Sequence, residues 1–224
     1  MIAVIALLLF AVAPFQTNER VRDTWKGPDP SVIRELFKED ATPPPEPASN
    51  AAVKFTPKGD SGMIKTLSDA LGSTPEERAT LAEAFTGFKQ SYEAEAAKAG
   101  KENNLAVTMT FFIVANVVAY HQTAMPEDAD TVKMAQSLEQ RMARIPAFAS
   151  MSDAEKQRMH DWLLCMAGFA LTNYMSAKAN NDVEGLATIK QFADYSMRVA
   201  LGIEAAKLTL AGSRITLQPE GRKP

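Results

Sequence analysis

Apolar residues recur along this chain at intervals of three and four, the spacing that stacks them on one face of a helix. Met63, Ile64, Leu67 and Leu71 make one such face, with Gly72 placed to end it. Thr74-Pro75-Glu76-Glu77 opens the next helix as a capping box, with proline at the first helical position. That helix carries Leu81, Phe85, Phe88 and Tyr92 on its apolar side and ends near Gly100. Its other side, Glu83, Lys89, Glu93 and Glu95, reads as solvated. A further helix is expected over about 127–145, with Val132, Ala135, Leu138 and Met142 inward and Pro146 closing it. Ser152-Asp153-Ala154-Glu155 is a second capping box and opens a long helix to about Asn180. Asp182 can cap the last one, which runs through Leu186, Ile189, Phe192, Tyr195, Met197 and Leu201. The only short strand predicted is Arg214-Ile215-Thr216-Leu217.

One segment breaks the pattern. Leu105 to Tyr120 is apolar nearly throughout, with Asn103 or Asn104 as its N-cap. At 1.5 Å per residue its roughly 16 residues extend about 24 Å, short of the ~30 Å hydrocarbon core of a bilayer. Thr108, Thr110 and Asn116 interrupt it, and the amphipathic helices around it need a common partner. A helix apolar on every side is buried on every side. It is therefore expected to be the central helix, with Asn116 hydrogen-bonded inside, because an unsatisfied buried amide costs about 1–3 kcal/mol.

The ends differ from this core. Met1 to Ala13 is apolar and of signal-peptide length, and Ala11-Val12-Ala13 resembles a small-x-small cleavage site. No Lys or Arg precedes the run and Pro14 would follow the cut, so a retained anchor or a start further upstream stays an alternative. Residues 14–52 read as a polar linker. Within it Gly27-Pro28-Asp29-Pro30 makes a turn, and Ser31 is a candidate cap for a short helix through Val32, Ile33, Leu36 and Phe37. Pro43, Pro44, Pro45 and Pro47 then favour an extended spacer, the alternative being a loop strapped to the domain. The expected organisation is a signal or anchor over 1–13, linker over 14–52, helical domain over 53–218 and a disordered tail over 219–224. The fold class is all-α: one bundle of about six helices around the buried central one.

Composition narrows the chemistry. A net charge of −3 supplies no basic surface, which excludes a nucleic-acid partner. A single cysteine, Cys165, rules out an internal disulfide and a Cys-rich metal site. Among Leu163, Leu164, Met166 and Phe169 it reads as an inert buried thiol. The two histidines are His121, where a cation would suit the end of the central helix, and His160, read as a surface or boundary residue near a helix start. His160 and Cys165 are about 500° apart in helical rotation and do not face one another. A metal site joining the two histidines needs a tertiary meeting that the sequence does not show. Gly59-Asp60-Ser61-Gly62 lacks the ending of a phosphate-binding loop and reads as a turn into a helix. No hydrolase elbow, zinc-protease or dinucleotide fingerprint occurs. Met109, Met134, Met142, Met159, Met166 and Met175 fill a core, or line a groove for an apolar ligand.

Four phrases carry a resemblance: KFTPKGD, TPEERATLAEAF, NNLAVTMTFFIVANVVAYH and MSDAEKQRMHDWLLCMAGF. In this order they resemble a family of exported bacterial helical domains of unknown function, over roughly residues 53–212. The resemblance implies location and fold class and transfers no activity, so no catalytic, cofactor or metal residue is assigned. The leading reading is an exported, non-enzymatic module that binds a protein or other component of the envelope, an envelope protein or a hydrophobic ligand being the partners considered, and that touches membrane only through residues 1–13 if these are uncleaved. One alternative is a carrier of an apolar small molecule between helices. The other is an enzyme with a carboxylate and histidine site, for which Glu155, His160 and Asp161 are the first candidates. That last reading requires these side chains to converge with another helix's polar group in a cleft.

Overall fold

The computed structural model describes residues 19–37 and 52–218. Expectations for the signal-like segment 1–13, the proline-rich spacer 38–50 and the tail 219–224 fall outside those residues. The described chain is all-α but for one small hairpin. Its helices are α1 (Glu19–Thr24), α2 (Pro30–Arg34), α3 (Met63–Leu71), α4 (Pro75–Lys98), α5 (Leu105–His121), α6 (Asp128–Met142), α7 (Pro146–Ala149), α8 (Asp153–Ala179) and α9 (Val183–Leu201). Single 3-10 turns follow α2 at Glu35–Phe37 and α9 at Ala205–Lys207. Strands β1 (Leu208–Ala211) and β2 (Arg214–Leu217) pair antiparallel, Leu208 opposite Leu217 and Ala211 opposite Arg214. Gly212, at φ +53°, makes the two-residue turn between them.

Local chemistry sets the helix ends. Thr74 Oγ1 accepts from the Glu77 N–H at 3.2 Å while the Glu77 carboxylate accepts from the Thr74 N–H at 3.2 Å. Ser152 and Glu155 repeat the arrangement at the start of α8. Asn104 caps α5, its Oδ1 accepting from the Ala106 N–H at 3.0 Å. Asp182 caps α9 by accepting from the Gly185 N–H at 2.9 Å. At α2 the cap is Asp29 and not Ser31: the Asp29 carboxylate accepts from both the Ser31 N–H and its hydroxyl.

α5 is the centre of the bundle, packed by α6, α8 and α9. Every residue from Phe112 to Ala119 is buried, so this part of the helix has no solvent face. α8 is a second rod of the same kind, buried without a break from Met159 to Gly168. α4 approaches it closely at Gly168, where a Cβ would stand 2.5 Å from the Phe88 ring.

Three expectations change. Val132 is 48% exposed, and α6 turns Met134, Leu138 and Met142 inward. The stripe repeats every four residues from Met134, and Glu139 beside it accepts from Asn104 Nδ2 at 3.1 Å. Pro146 closes nothing further on; it begins α7. The stretch read as linker also differs over residues 19–37, which pack into the core through Val21, Ile33 and Leu36. Trp162 Nε1 donates to Thr24 Oγ1 at 2.8 Å, Trp25 lies edge-on to Trp162, and Arg34 donates to the Gly202 carbonyl.

Candidate functional site

The residues singled out from sequence fall into two groups. Glu155 is a capping residue at the surface, its carboxyl held below the usual range by the Ser152 hydroxyl and N–H. His121 ends α5 with Nε2 3.0 Å from the Leu208 carbonyl oxygen. Cys165 is buried, and burial pushes its thiol pKa up. Asn116 is satisfied inside the core, donating to the Phe112 carbonyl at 2.8 Å and accepting from Ser196 Oγ at 2.6 Å.

His160 and Asp161 form the other group. The expectation of a boundary position for His160 is corrected: it is 2% exposed, and Asp161 1%. Both lie on the stretch of α8 that is sheathed by α3, α4 and α5. His160 cannot join His121, because it meets α5 at Thr108, and Thr108 and His121 are about 20 Å apart along that helix.

A buried carboxylate is expelled from the fold unless it is paired and hydrogen-bonded. Asp161 achieves this with two other elements. Ser61, in the loop before α3, donates its hydroxyl to Oδ2 at 2.5 Å. Lys89 on α4 places Nζ 2.7 Å from Oδ1. Gln157, one turn earlier on α8, secures the same loop by donating to the Gly59 carbonyl at 2.7 Å and accepting from the Lys58 N–H at 2.9 Å. Glu93, one turn along α4, stands 3.6 Å from Lys89 Nζ. His160, the neighbouring residue, reaches α5 with Nδ1 2.7 Å from Thr108 Oγ1. Tyr92 OH is 3.3 Å from that same hydroxyl, and the Phe55 and Tyr92 rings lie edge-on to the imidazole. His160 Nε2 is buried and has no hydrogen-bond partner.

The charges follow from this packing. Burial drives the His160 pKa down to about 4; the Asp161 charge opposes that shift and the Lys89 charge adds to it. The ring is therefore neutral at pH 7. Burial also works against the Lys89 charge, but the Asp161 hydrogen bond and the two carboxylate charges outweigh it and raise its pKa. Glu93 is raised, first by burial and then by Asp161, with Lys89 opposing. Burial pushes the Tyr92 phenol up to about 12. Lys89 is thus a fixed cation, with its pKa moved away from what a nucleophile or base at neutral pH requires. Glu93 is moved toward the range in which a carboxyl can exchange a proton.

Lys89 and Glu93 also form part of the wall of an open cleft of about 580 Å³ between α3 and α4, with Ile64, Ser68, Arg78 and Ala82. A second cleft, about 540 Å³, lies between α6 and β2 and is lined by Leu36, Met134 and Ile215. A third, about 590 Å³, lies beside His121 and Met125. Met109, Met159 and Met166 are in the closed core and line none of these three.

On the side of α4 read as solvated, Glu83 and Glu95 are exposed as expected, and Lys89 is the correction, with Glu93 half-exposed beside it. The sequence carried one signal for Lys89: Asp161 is a charge inside an apolar run, and such a charge demands a partner. It did not carry the partner's address, 72 positions earlier.

The architecture and the site together define a class: an all-α domain in which a buried helix brings a carboxylate and an imidazole up behind a charged cleft. The chain belongs to a family of unknown function, DUF6683, whose model matches residues 33–218. The match begins at the α2 residue Ile33, inside the N-terminal stretch that packs on the bundle. No curated protein and no solved structure matches the chain.

Proposed function

We propose that this protein is an exported, non-enzymatic binding module of the cell envelope, and that its partner enters the cleft between α3 and α4. The observation that carries the reading is Lys89: an ammonium pinned by buried Asp161, kept protonated, and exposed along one side to an open cleft. Such a group anchors a partner and performs no proton transfer at neutral pH. The walls add Lys65, Asp69, Arg78 and Glu93, a mixture of signs that suits a polar protein surface better than an apolar small molecule. Export rests on the apolar segment 1–13 with its small-residue end. Among the described residues no helix is long and apolar enough to cross a membrane.

The test is recovery of the full chain from its native envelope, with mass spectrometry of what accompanies it. Ala79→Trp, at an exposed position on the cleft wall, is expected to lose a species that wild type and the distant control Val183→Ser retain. Retention of that species by Ala79→Trp removes the cleft from the reading. An intact mass that still includes residues 1–13, on protein found only in the cytoplasm, removes export.

Glu93 supports a second reading, as the acid or base of an enzyme. Its raised carboxyl borders the cleft, whereas His160 and Asp161 are not on the cleft wall. Turnover of any ester, amide or glycoside substrate that is abolished by Glu93→Gln would favour this reading over the first.

A further inference from the structure

We propose that Glu93, His160 and Asp161 form a binding site for a divalent transition-metal ion, with Lys89 as the built-in competitor for it. One donor atom from each of the three residues lies within 4.8 Å of the other two. Metal–ligand bonds of ~2.1 Å place neighbouring donors roughly 3–3.5 Å apart, so the cluster has to close by about 1 Å. Asp161 and His160 are locked in the core, and Glu93, whose side chain is 45% exposed, is the one free to close it.

The imidazole supplies the independent observation. Thr108 Oγ1 meets His160 Nδ1 at 2.7 Å and lies 3.3 Å from both the Asn104 carbonyl oxygen and the Tyr92 hydroxyl. With Nδ1 occupied by Thr108, the other ring nitrogen, Nε2, is buried and has no hydrogen-bond partner. A buried ring nitrogen left unpaired is destabilising and calls for an occupant. The Thr108 contact is also the kind of second bond that orients a metal-ligating histidine. Lys89 serves both carboxylates, at 2.7 and 3.6 Å, but is no partner to Nε2. A divalent ion would satisfy all three donors, neutralise both carboxylates, and send the Lys89 ammonium into the cleft it already borders. Two carboxylate oxygens with one imidazole nitrogen suit Zn²⁺, Fe²⁺ or Mn²⁺ better than Ca²⁺ or Mg²⁺, which take oxygen ligands. This site does not depend on the cleft's binding a partner.

The test uses the full chain titrated with Zn²⁺ by calorimetry and with Co²⁺ by its visible ligand-field absorption. Wild type is expected to take up one equivalent. Lys89→Met is expected to bind at least about tenfold more tightly, because the competing cation is gone, and Glu93→Gln and His160→Gln at least about tenfold more weakly. Circular dichroism establishes that each variant is folded. If Lys89→Met fails to fold in the absence of metal, its recovery on adding Zn²⁺ is the same result read another way. Uptake that is unchanged in both Glu93→Gln and His160→Gln places the ion elsewhere and overturns the proposal. So does the absence of saturable uptake by wild type and by folded Lys89→Met. Loss of partner capture by Ala79→Trp with Zn²⁺ affinity intact leaves this site standing, and the reverse pattern leaves the cleft reading standing.

Discussion

Two polar groups are buried in the core, Asn116 on α5 and Asp161 on α8, at opposite ends of the same chemistry. Asn116 meets Ser196 of α9 as a neutral pair in which both amide atoms and the hydroxyl have partners. The Asp161 cluster is charged, draws on three separate elements, borders a cleft and leaves one imidazole nitrogen unpaired. A neutral, closed pair fixes how two helices register. A charged, incompletely paired group costs stability that register alone does not explain, and such groups concentrate where proteins bind or react. The contrast sorts one buried polar site as structural and makes the other the candidate functional site.

The largest effect expected is from Asp161→Ala. It strands the Lys89 charge and the Ser61 hydroxyl, and breaking a buried pair costs about 3–5 kcal/mol. Lys89 is 19% exposed and can turn into the cleft, which points to the lower end, about 3 kcal/mol by urea denaturation. Adding Lys89→Met to Asp161→Leu removes both charges and is expected to recover most of the loss. A loss below about 1 kcal/mol for Asp161→Ala would erase the distinction from Asn116.

Acid comes next. The His160 pKa lies near 4 in the folded chain and near 6.5 unfolded, so between those values the unfolded state binds the extra proton. Stability is present above pH 6.5 and is lost as pH falls toward 4, by about 2 kcal/mol at pH 5. Glu93, with its pKa raised, works in the opposite sense just above the ordinary carboxylate range. His160→Gln is expected to flatten the slope of urea-unfolding free energy between pH 5 and 7. Asn116→Ala is expected to leave that slope unchanged while lowering the whole curve by about 1–2 kcal/mol.

The helix starts were legible because a cap is local. Thr74 with Glu77, Ser152 with Glu155, and Asp182 with Gly185 each join residues three apart. The central position of α5 was legible because no face of it is polar enough to be wet. Neither argument reaches across the chain. Residues 19–37 look like linker because their apolar positions are few, yet Val21, Ile33 and Leu36 each fill a place in a core made elsewhere. β1 is only four residues long and has no meaning without β2. Lys89 looks solvated because charge usually is, and only Asp161, far along the sequence, gives it a buried partner.

The smallest effect expected is from Ser196→Ala, and it tests the neutral side of the comparison. Ser196 Oγ bridges Asn116 Oδ1 at 2.6 Å and the Ala193 carbonyl at 3.1 Å within α9. The substitution removes one donor from Asn116, whose Nδ2 keeps its bond to Phe112. It leaves a cavity no larger than a hydroxyl and introduces alanine, a better helix former than serine. The remaining cost is the unpaired amide oxygen, about 1 kcal/mol, with no dependence on pH or on added Zn²⁺. Thermal unfolding of Ser196→Ala across pH 5–8, with and without Zn²⁺, measures all three terms. A change in its pH slope or metal affinity would mean that the two buried groups are coupled through α5, and the division between a structural and a functional site would have to be redrawn.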